Sequence, residues 1–366
     1  MVRILHTGDL HLESPFRGIR DSLKARQRRA ELDGCLLEMI DYAVENQVDL
    51  FLIAGDLFDG ALTDIRVFRQ WMERMEQAAQ VRFFIAPGNH DYYHARSLYA
   101  LEALPANVKV FTGPMERVEL PQLGVDVYGA AFCRPHEGPL LRGFRAQPGR
   151  TSIMVLHGDT APGSEYGPIT SEDIRESGLD YLALGHVHSF SGLQRQGGTT
   201  WAYSGVPMGR GFDEAGEKGF VEVTVEPGRV QGGLVPLEGR QYRVEELDVT
   251  GMTLPQEVLR TLRGCIAQVG SQHLLRVRLV GRAGAGVVDL PLLQAGAGED
   301  CYYLELADDT RPAEDMEALA RERSLRGVFT RMLLQKVQQA STPEEARLAS
   351  LALELGLDNL RQEVRG

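Results

Sequence analysis

The chain has 366 residues, of which 43% are hydrophobic and 25% are charged, a composition that is ordinary for a folded globular protein of about two or three domains. Its net charge of −12 argues against a protein that coats nucleic acid indiscriminately, because such binding depends on cations that neutralise phosphates. No run reaches the roughly 18 apolar residues of a membrane helix and the N-terminus lacks a signal-peptide pattern, so we expect a cytoplasmic protein without a membrane partner.

Five short apolar runs each end in a cluster of polar residues. In chain order they are VRILHTGDLH, DLFLIAGDLFD, RFFIAPGNHD, SIMVLHGD and YLALGHVH. Apolar runs of this length, bounded by glycine, are typical of strands buried on both faces, and the stretches between the first three have helical character. Ligands of open α/β sheets gather at the carboxyl ends of the strands, so we expect all five clusters on one edge of the sheet.

The rest of the chain predicts a second sheet, a small domain and a helical tail. From about residue 105, VKVFTG, VDVYGAAF, TTWAYSG and GFVEVTVEPGRVQGGLVPL have strand patterns, and we expect them to form a second sheet. Near residue 240 the runs QYRVEELDV, LPQEVLRTLRGCIAQVG, HLLRVRLVG and CYYLELAD indicate a β-α-β unit. We therefore predict a main domain over 1–240, a small α/β domain over 241–310 and a helical segment over 311–366, in which Thr342 caps a helix that begins at Pro343.

The polar clusters contain groups that bind divalent metals. Residues two apart in an extended segment face the same side, so Asp9 with His11, and His186 with His188, can each project toward one site. A mixture of imidazole, carboxylate and amide oxygen suits Mn²⁺, Fe²⁺ or Zn²⁺. The candidate ligands are too many for one ion, so we expect two metals that share a carboxylate. They are Asp9, His11, Asp56, Asn89, His157, His186 and His188.

The ordered set GDLH, GDLFD, GNHD, LHGD and GHVH resembles the motifs of the calcineurin-like metallophosphoesterase superfamily. Within it, RILHTGDLHL and YSGVPMGRGFDEAGEKGF resemble the SbcD-type DNA repair exonucleases, including their YhaO-type branch. The resemblance covers about the first 240 residues well and the remainder in outline. It implies a four-layer αββα sandwich with a small α/β capping domain and C-terminal helices.

The resemblance also implies the roles of the site residues. It assigns Asp9, His11, Asp56 and His188 to a first metal, and Asp56, Asn89, His157 and His186 to a second. A hydroxide that bridges the two ions, which we expect to be Mn²⁺, would be the nucleophile of phosphodiester hydrolysis. His90 would donate a proton to the leaving oxygen, and Asp59 would orient His90. Asp91 has a structural alternative, which is to support the turn.

Several residues near these clusters are candidates for contact with DNA. Arg17, Arg20, Lys24, Arg26, Arg28 and Arg29 follow the first ligand pair, and they either contact the nucleic-acid backbone or form a solvated helix face. Arg134 lies in a loop rich in proline and glycine that we expect beside the cleft. Tyr92 and His94 either stack on bases or pack the turn.

The resemblance implies a homodimer and a partner, an SMC-like ATPase of the SbcC type, on which the C-terminal helices dock. An apolar stripe from Leu325 to Leu355 is the candidate contact, and its alternative role is to cover the protein's own core. Two other functions stay open. One is a phosphodiesterase or phosphatase for nucleotides or small phosphoesters, although Gly60 and Asp91 stand where protein phosphatases carry arginine and glutamate. The other is a catalytically weak DNA-binding subunit of the ATPase complex.

Overall fold

The computed structural model describes residues 1–60, 63–313 and 316–362. The chain forms two compact units, the first over Met1–Arg243 and the second from Val244 onward. Among the described residues, none of the helices combines the length and the apolar composition that a membrane-spanning segment needs.

The first unit contains two six-stranded sheets. Its elements are β1 (Val2–Thr7), α1 (Ser22–Glu45), β2 (Leu50–Ile53), α2 (Ile65–Gln77), β3 (Arg82–Ile85), α3 (Leu98–Leu101), β4 (Val108–Val110), β5 (Glu116–Leu120), β6 (Val125–Gly129), β7 (Thr151–His157), α4 (Ser171–Glu176), β8 (Tyr181–Gly185), β9 (Gln194–Gln196), β10 (Thr199–Tyr203), a 3-10 turn (Phe212–Glu214), β11 (Gly219–Glu226) and β12 (Arg229–Pro236). The strand orders are β12-β11-β1-β2-β3-β4 and β5-β6-β7-β8-β10-β9.

The two sheets share one hydrophobic core. Ile4 and Leu52 of the first sheet lie in the same buried cluster as Val127, Val155 and Ala183 of the second. Strands β1 to β4 pair in parallel, as do β6, β7, β8 and β10. The central strands β2 and β8 are buried at every residue, as their continuous apolar runs require. The predicted α/β sandwich is therefore confirmed.

The expected single sheet edge is wrong. Strands β1, β2 and β3 lie in the first sheet, whereas β7 and β8 lie in the second, so the five polar clusters come from two sheets. The expected second sheet is also wrong in part, because β4, β11 and β12 join the first sheet. Strand β11 pairs antiparallel with β1, with Val2 opposite Val225. An apolar run predicts that a strand is buried but does not say which sheet receives it.

The second unit contains a three-stranded sheet, a two-stranded sheet and helices, the last of which follow all the strands. Its elements, with β13 crossing from the first unit, are β13 (Tyr242–Asp248), α5 (Pro255–Val269), β14 (Leu274–Val280), β15 (Arg282–Ala283), α6 (Leu290–Ala297), β16 (Tyr303–Asp308), β17 (Arg311–Pro312), α7 (Met316–Arg321), α8 (Leu325–Gln339) and α9 (Pro343–Gln362). Leu262 of α5, Leu293 of α6 and Val277 of β14 form its core. The division at 240 and 310 into three domains stays a prediction.

The C-terminal helices divide their apolar residues between a small core and the surface. The hydroxyl of Thr342 accepts a hydrogen bond from the backbone N–H of Glu345 at 3.2 Å, so the predicted cap of α9 forms. Leu319, Leu353 and Leu357 are buried together. Five members of the apolar stripe are instead at least half exposed, namely Leu325, Met332, Leu348, Leu351 and Leu355.

Candidate metal centre

The loops that carry the predicted ligands have unusual backbone conformations. Asp9, His11, Asp56 and His186 have φ values of 52°, 49°, 49° and 105°. Residues with a Cβ rarely adopt a positive φ, and each such residue costs roughly 1–3 kcal/mol and persists only where the surrounding structure enforces it. Of the seven non-glycine residues that have a positive φ in the described part of the chain, these four are candidate ligands, so the fold holds these side chains in place at the expense of backbone energy.

Hydrogen bonds between the loops enforce this geometry. The N–H of Asp9 donates to the carbonyl of Gly55 at 3.0 Å, and the N–H of His11 donates to that of Asp56 at 2.9 Å. The N–H of His186 donates to the carboxylate of Asp9, with a shortest distance of 2.9 Å to Oδ2. The carboxyl ends of the two sheets are thereby tied together at the candidate site.

One group of ligand atoms surrounds Nε2 of His157. This atom lies 2.9 Å from Oδ1 of Asn89, 3.3 Å from Nδ1 of His186 and 3.7 Å from Oδ2 of Asp56. A carbonyl oxygen only accepts, so Nδ1 of His157 donates to that of Ala54 at 3.0 Å, and in the neutral imidazole the lone pair on Nε2 is left for a ligand. Several electron-pair donors therefore face one another, an arrangement that a shared cation stabilises.

A second group lies on the other side of Asp56. Nε2 of His11 is 3.7 Å from Oδ2 of Asp56, the same distance that separates this oxygen from His157. Ligand atoms of Asp9, His11 and His188 all lie within 4.8 Å of one another. His11 is buried, and its Nε2 has no hydrogen-bond partner among the described residues. Because unpaired buried polar atoms are costly, this donor set fits a metal ion, and Asp56 lies between the two groups of candidate ligand atoms.

Two glycines give the ligands the space they need. A Cβ at Gly55 would lie 2.2 Å from Nδ1 of His157, and a Cβ at Gly88 would lie 2.3 Å from Oδ1 of Asp56. Gly55 also has a φ of 90°, which favours glycine. Any larger residue at either position would displace a candidate ligand.

The buried charges at the centre stabilise each other. Burial by itself raises the pKa of the Asp56 carboxyl, but the nearby imidazoles of His157 and His11 outweigh it and lower that pKa overall. Burial likewise lowers the pKa of His157, and the carboxylates of Asp56 and Asp9 outweigh it and raise that pKa. Asp56 is therefore held as a carboxylate, the form that binds a cation.

His90 lies at the open edge of the site. Its side chain is exposed, its backbone N–H donates to Oδ1 of Asp56 at 2.9 Å, and its ring lies edge-on to that of His11 with centroids 4.6 Å apart. Its Nδ1 is 3.3 Å from the backbone oxygen of Asp59. The carboxylate of Asp59 instead lies 3.2 Å from Nδ1 of His11 and 3.4 Å from the guanidinium of Arg210. That this carboxylate orients His90 stays a prediction.

Asp91 supports the two loops beneath His90. Its Oδ1 accepts from the N–H groups of Gly88 at 2.8 Å and Asp56 at 3.2 Å. Its Oδ2 accepts from the N–H of Leu57 at 2.9 Å and the hydroxyl of Tyr99 at 2.7 Å. With both oxygens engaged by donors of the loops, Asp91 has the structural role that the sequence left open.

Sequence reasoning missed three residues that lie close to the candidate ligands. Oε1 of Glu214 is 2.7 Å from Nδ1 of His188, and the guanidinium of Arg210 lies between Glu214 and Asp59. Burial raises the pKa of Glu214, but the hydrogen bond from His188 and the charge of Arg210 bring it down to about 2. Both residues lie in the stretch GRGFDEAGEKGF. This stretch indicates a family resemblance, but its sequence does not predict that any of its residues contacts a candidate ligand. Asp159, 3.7 Å from Nε2 of His186, was also missed, although it ends the run LHGD.

The candidate DNA contacts differ in their exposure. Arg17, Arg20, Arg26 and Arg29 are exposed and Lys24 is half-buried. The expectation for Arg28 is wrong, because its side chain is fully buried and donates to the carbonyls of Gly209 at 3.0 Å and Arg240 at 3.2 Å. Helix α1 turns this residue inward, as the alternation of helical faces requires.

The remaining candidates lie in loops. Arg134 is exposed and pairs with Glu137 at 3.2 Å. Tyr92 and His94 are half-buried with ring centroids 5.2 Å apart, so they contact each other at the turn that follows His90. Their contact with DNA stays a prediction.

Comparison with known proteins places this geometry in a family. The family model described as calcineurin-like phosphoesterase matches residues 2–190. The uncharacterised metallophosphoesterase YhaO of Bacillus subtilis is 29% identical over 306 residues, which cover 78% of this chain and 74% of the relative. The DNA double-strand break repair protein Mre11 of Aeropyrum pernix is 27% identical over 74% of this chain and 69% of its own length. The SbcD component of the nuclease SbcCD of Escherichia coli is 25% identical over 74% of this chain and 73% of its own length.

Proposed function

We propose that this chain, which belongs to the calcineurin-like phosphoesterase family, is a metal-dependent nuclease that hydrolyses DNA phosphodiester bonds in DNA repair. The observation that carries the proposal is the position of Oδ2 of Asp56, which lies 3.7 Å from Nε2 of both His11 and His157. Family membership supports a hydrolase of phosphoesters. The names of the relatives, the DNA repair protein Mre11 and the nuclease SbcCD, support DNA as the substrate.

Two divalent ions are the proposed cofactors, and Mn²⁺ is the proposed species because the ligands mix imidazole with oxygen donors. When bound, such ions lower the pKa of water and neutralise charge on a phosphate. The proposed ligands of the first ion are Asp9, His11, Asp56 and His188. Those of the second are Asp56, Asn89, His157 and His186. Asp56 has one oxygen that faces both groups, which supports its role as the shared ligand.

His90 is the proposed proton donor to the leaving oxygen of the cleaved strand. The residue is exposed at the edge of the site, where a substrate has access, and its ring is next to a proposed ligand, His11. The hydrogen bond from its backbone N–H to Asp56 fixes its position relative to the proposed metals. General acid catalysis requires this combination of access and fixed position.

Exposed cations near the first ligand pair are the proposed contacts to the DNA backbone. Arg17, Arg20 and Arg26 fit this role, with Lys24 half-buried beside them. Arg134, Tyr92 and His94 are the proposed contacts on the loops.

The C-terminal helices are the proposed docking site for an SMC-like ATPase of the SbcC type, and the protein is proposed to act as a homodimer. The exposed leucines and methionine of α8 and α9 support this site, because apolar side chains on adjacent helices form a surface that a partner helix can cover. The relative from Escherichia coli is named as one component of the nuclease SbcCD, which supports a partner of this type.

Cleavage of labelled single- and double-stranded DNA by the purified chain, across several divalent metals, tests the proposed function. We expect 3′ to 5′ exonuclease and single-strand endonuclease activity with Mn²⁺, and none after the metal is removed. A protein that holds two metals and hydrolyses a generic phosphodiester dye but no form of DNA would be a phosphodiesterase of the same fold, and the nuclease proposal would be wrong.

A further inference from the structure

We propose that Glu214 is a positioning residue that holds His188 in the orientation needed to bind the first metal, and that Arg210 fixes Glu214 in turn. The inference rests on the proposed function, because it takes His188 as a metal ligand. Neither Glu214 nor Arg210 belongs to the predicted ligand set.

The distances show which neighbour determines the ring nitrogen of His188 that carries the proton. Nδ1 of His188 lies 2.7 Å from Oε1 of Glu214 but 3.4 Å from the guanidinium of Arg210. A carboxylate oxygen only accepts hydrogen bonds, so Nδ1 must be the donor. The lone pair is then on Nε2, the atom that remains for a metal. Partners of this kind fix the tautomer and the ring orientation of histidine ligands in metal sites.

Three donors hold the Glu214 carboxylate in place. Besides His188, the backbone N–H of Arg210 donates to Oε2 at 2.7 Å, and the guanidinium of Arg210 donates to Oε1 at 3.1 Å. The residue is only 8% exposed, and a buried carboxylate is costly unless it is paired. These contacts therefore hold the Glu214 carboxylate in one orientation.

Arg28 also holds the segment that contains Glu214. Its guanidinium donates to the carbonyl of Gly209 at 3.0 Å, and a Cβ at Gly209 would lie 2.6 Å from the carbonyl oxygen of Glu214. The turn between these residues is thus closely packed. This packing gives the buried Arg28 a function that differs from DNA contact, because it supports the turn that orients His188.

Titration of metal-stripped protein with Mn²⁺, followed by calorimetry, tests the inference. We expect two sites in the wild-type chain. In Glu214→Ala one site should weaken by about 10–100-fold while the other is unchanged. Glu214→Gln should lose less, because its amide oxygen still accepts the hydrogen bond without the charge. Glu217→Ala removes an exposed acid of the same loop and should bind like the wild type.

The tautomer of His188 provides a readout that does not depend on metal. In the metal-free chain at alkaline pH, ¹⁵N NMR should find the proton of His188 on Nδ1, and Glu214→Ala should lose this preference. If both Glu214 variants bind two ions with wild-type affinity, the inference is overturned and the proposed function stands. If the wild-type chain binds no Mn²⁺, the proposed function itself is overturned.

Discussion

His157 and His188 lie on different sides of the candidate metal centre and are held by different means. His157 is buried, and a backbone carbonyl, that of Ala54, accepts the hydrogen bond from its Nδ1. His188 is one-third exposed at its side chain, and the side chain of Glu214 accepts the corresponding bond. The side at His157, here called the buried side, therefore depends on the backbone and its glycines. The side at His188, here called the open side, depends on side chains that a single substitution can remove.

The largest expected effect is on the open side, where the proposed chemistry takes place. His90→Ala should lower DNA cleavage by about 10²–10⁴-fold, the usual contribution of a general acid. The metal content, measured by elemental analysis, should stay at the wild-type level because His90 is not a proposed ligand. Loss of metal together with activity would instead show that His90 is a metal ligand.

The next effect concerns the pH dependence of the open side. The pKa of Glu214 is lowered from 4.5 to about 2, so its contribution to folding is present above pH 4.5 and is lost as the pH falls through 2. Over this range the metal-free wild type should lose on the order of 3 kcal/mol more unfolding free energy than Glu214→Gln. Urea unfolding at several pH values measures this difference. Glu217→Gln, at an exposed acid, should follow the wild-type curve, and equal curves for all three proteins would contradict the pairing with His188.

A substitution at Gly55 tests the buried side. Gly55→Ala places a Cβ 2.2 Å from His157 at a positive φ, so it should cost at least about 1–3 kcal/mol of unfolding free energy and weaken metal binding. Gly60→Ala is the matched control from the same loop, because a Cβ there meets no atom of the described residues within 4 Å. Urea unfolding and metal analysis of both variants make the comparison. A stable Gly55→Ala chain with full metal content would show that the backbone does not fix this side.

The smallest expected effect separates the two metals. His186→Ala should weaken binding of the second proposed metal, and His188→Ala binding of the first. Each affinity should fall by at least about tenfold, because loss of a ligand costs no less than loss of a contact that supports one. Calorimetric titration with Mn²⁺ distinguishes the two sites in each variant. Equal weakening of both sites by both substitutions would contradict the assignment of the histidines to different metals.

The sequence predicted the candidate ligands because each one follows an apolar run. A single Asp or His at the end of a strand usually has a structural explanation, but five such clusters taken together do not. It did not predict that β7 and β8 form a separate sheet, because apolar runs carry no information on strand partners. The prediction for Arg28 was wrong, since the basic segment was counted as a whole and the helix turns one arginine inward. Glu214 lies 26 residues from His188, and only the fold brings them together.

The most direct test of the account is a crystal structure of the Mn²⁺-soaked chain with anomalous scattering at the manganese edge. Two peaks about 3.5–4 Å apart, one on each side of the Asp56 carboxylate, are the expected result. The peak near His11 and His188 should weaken in crystals of Glu214→Ala. A single peak, or two peaks that Asp56 does not join, would contradict the central claim that this carboxylate holds two metals.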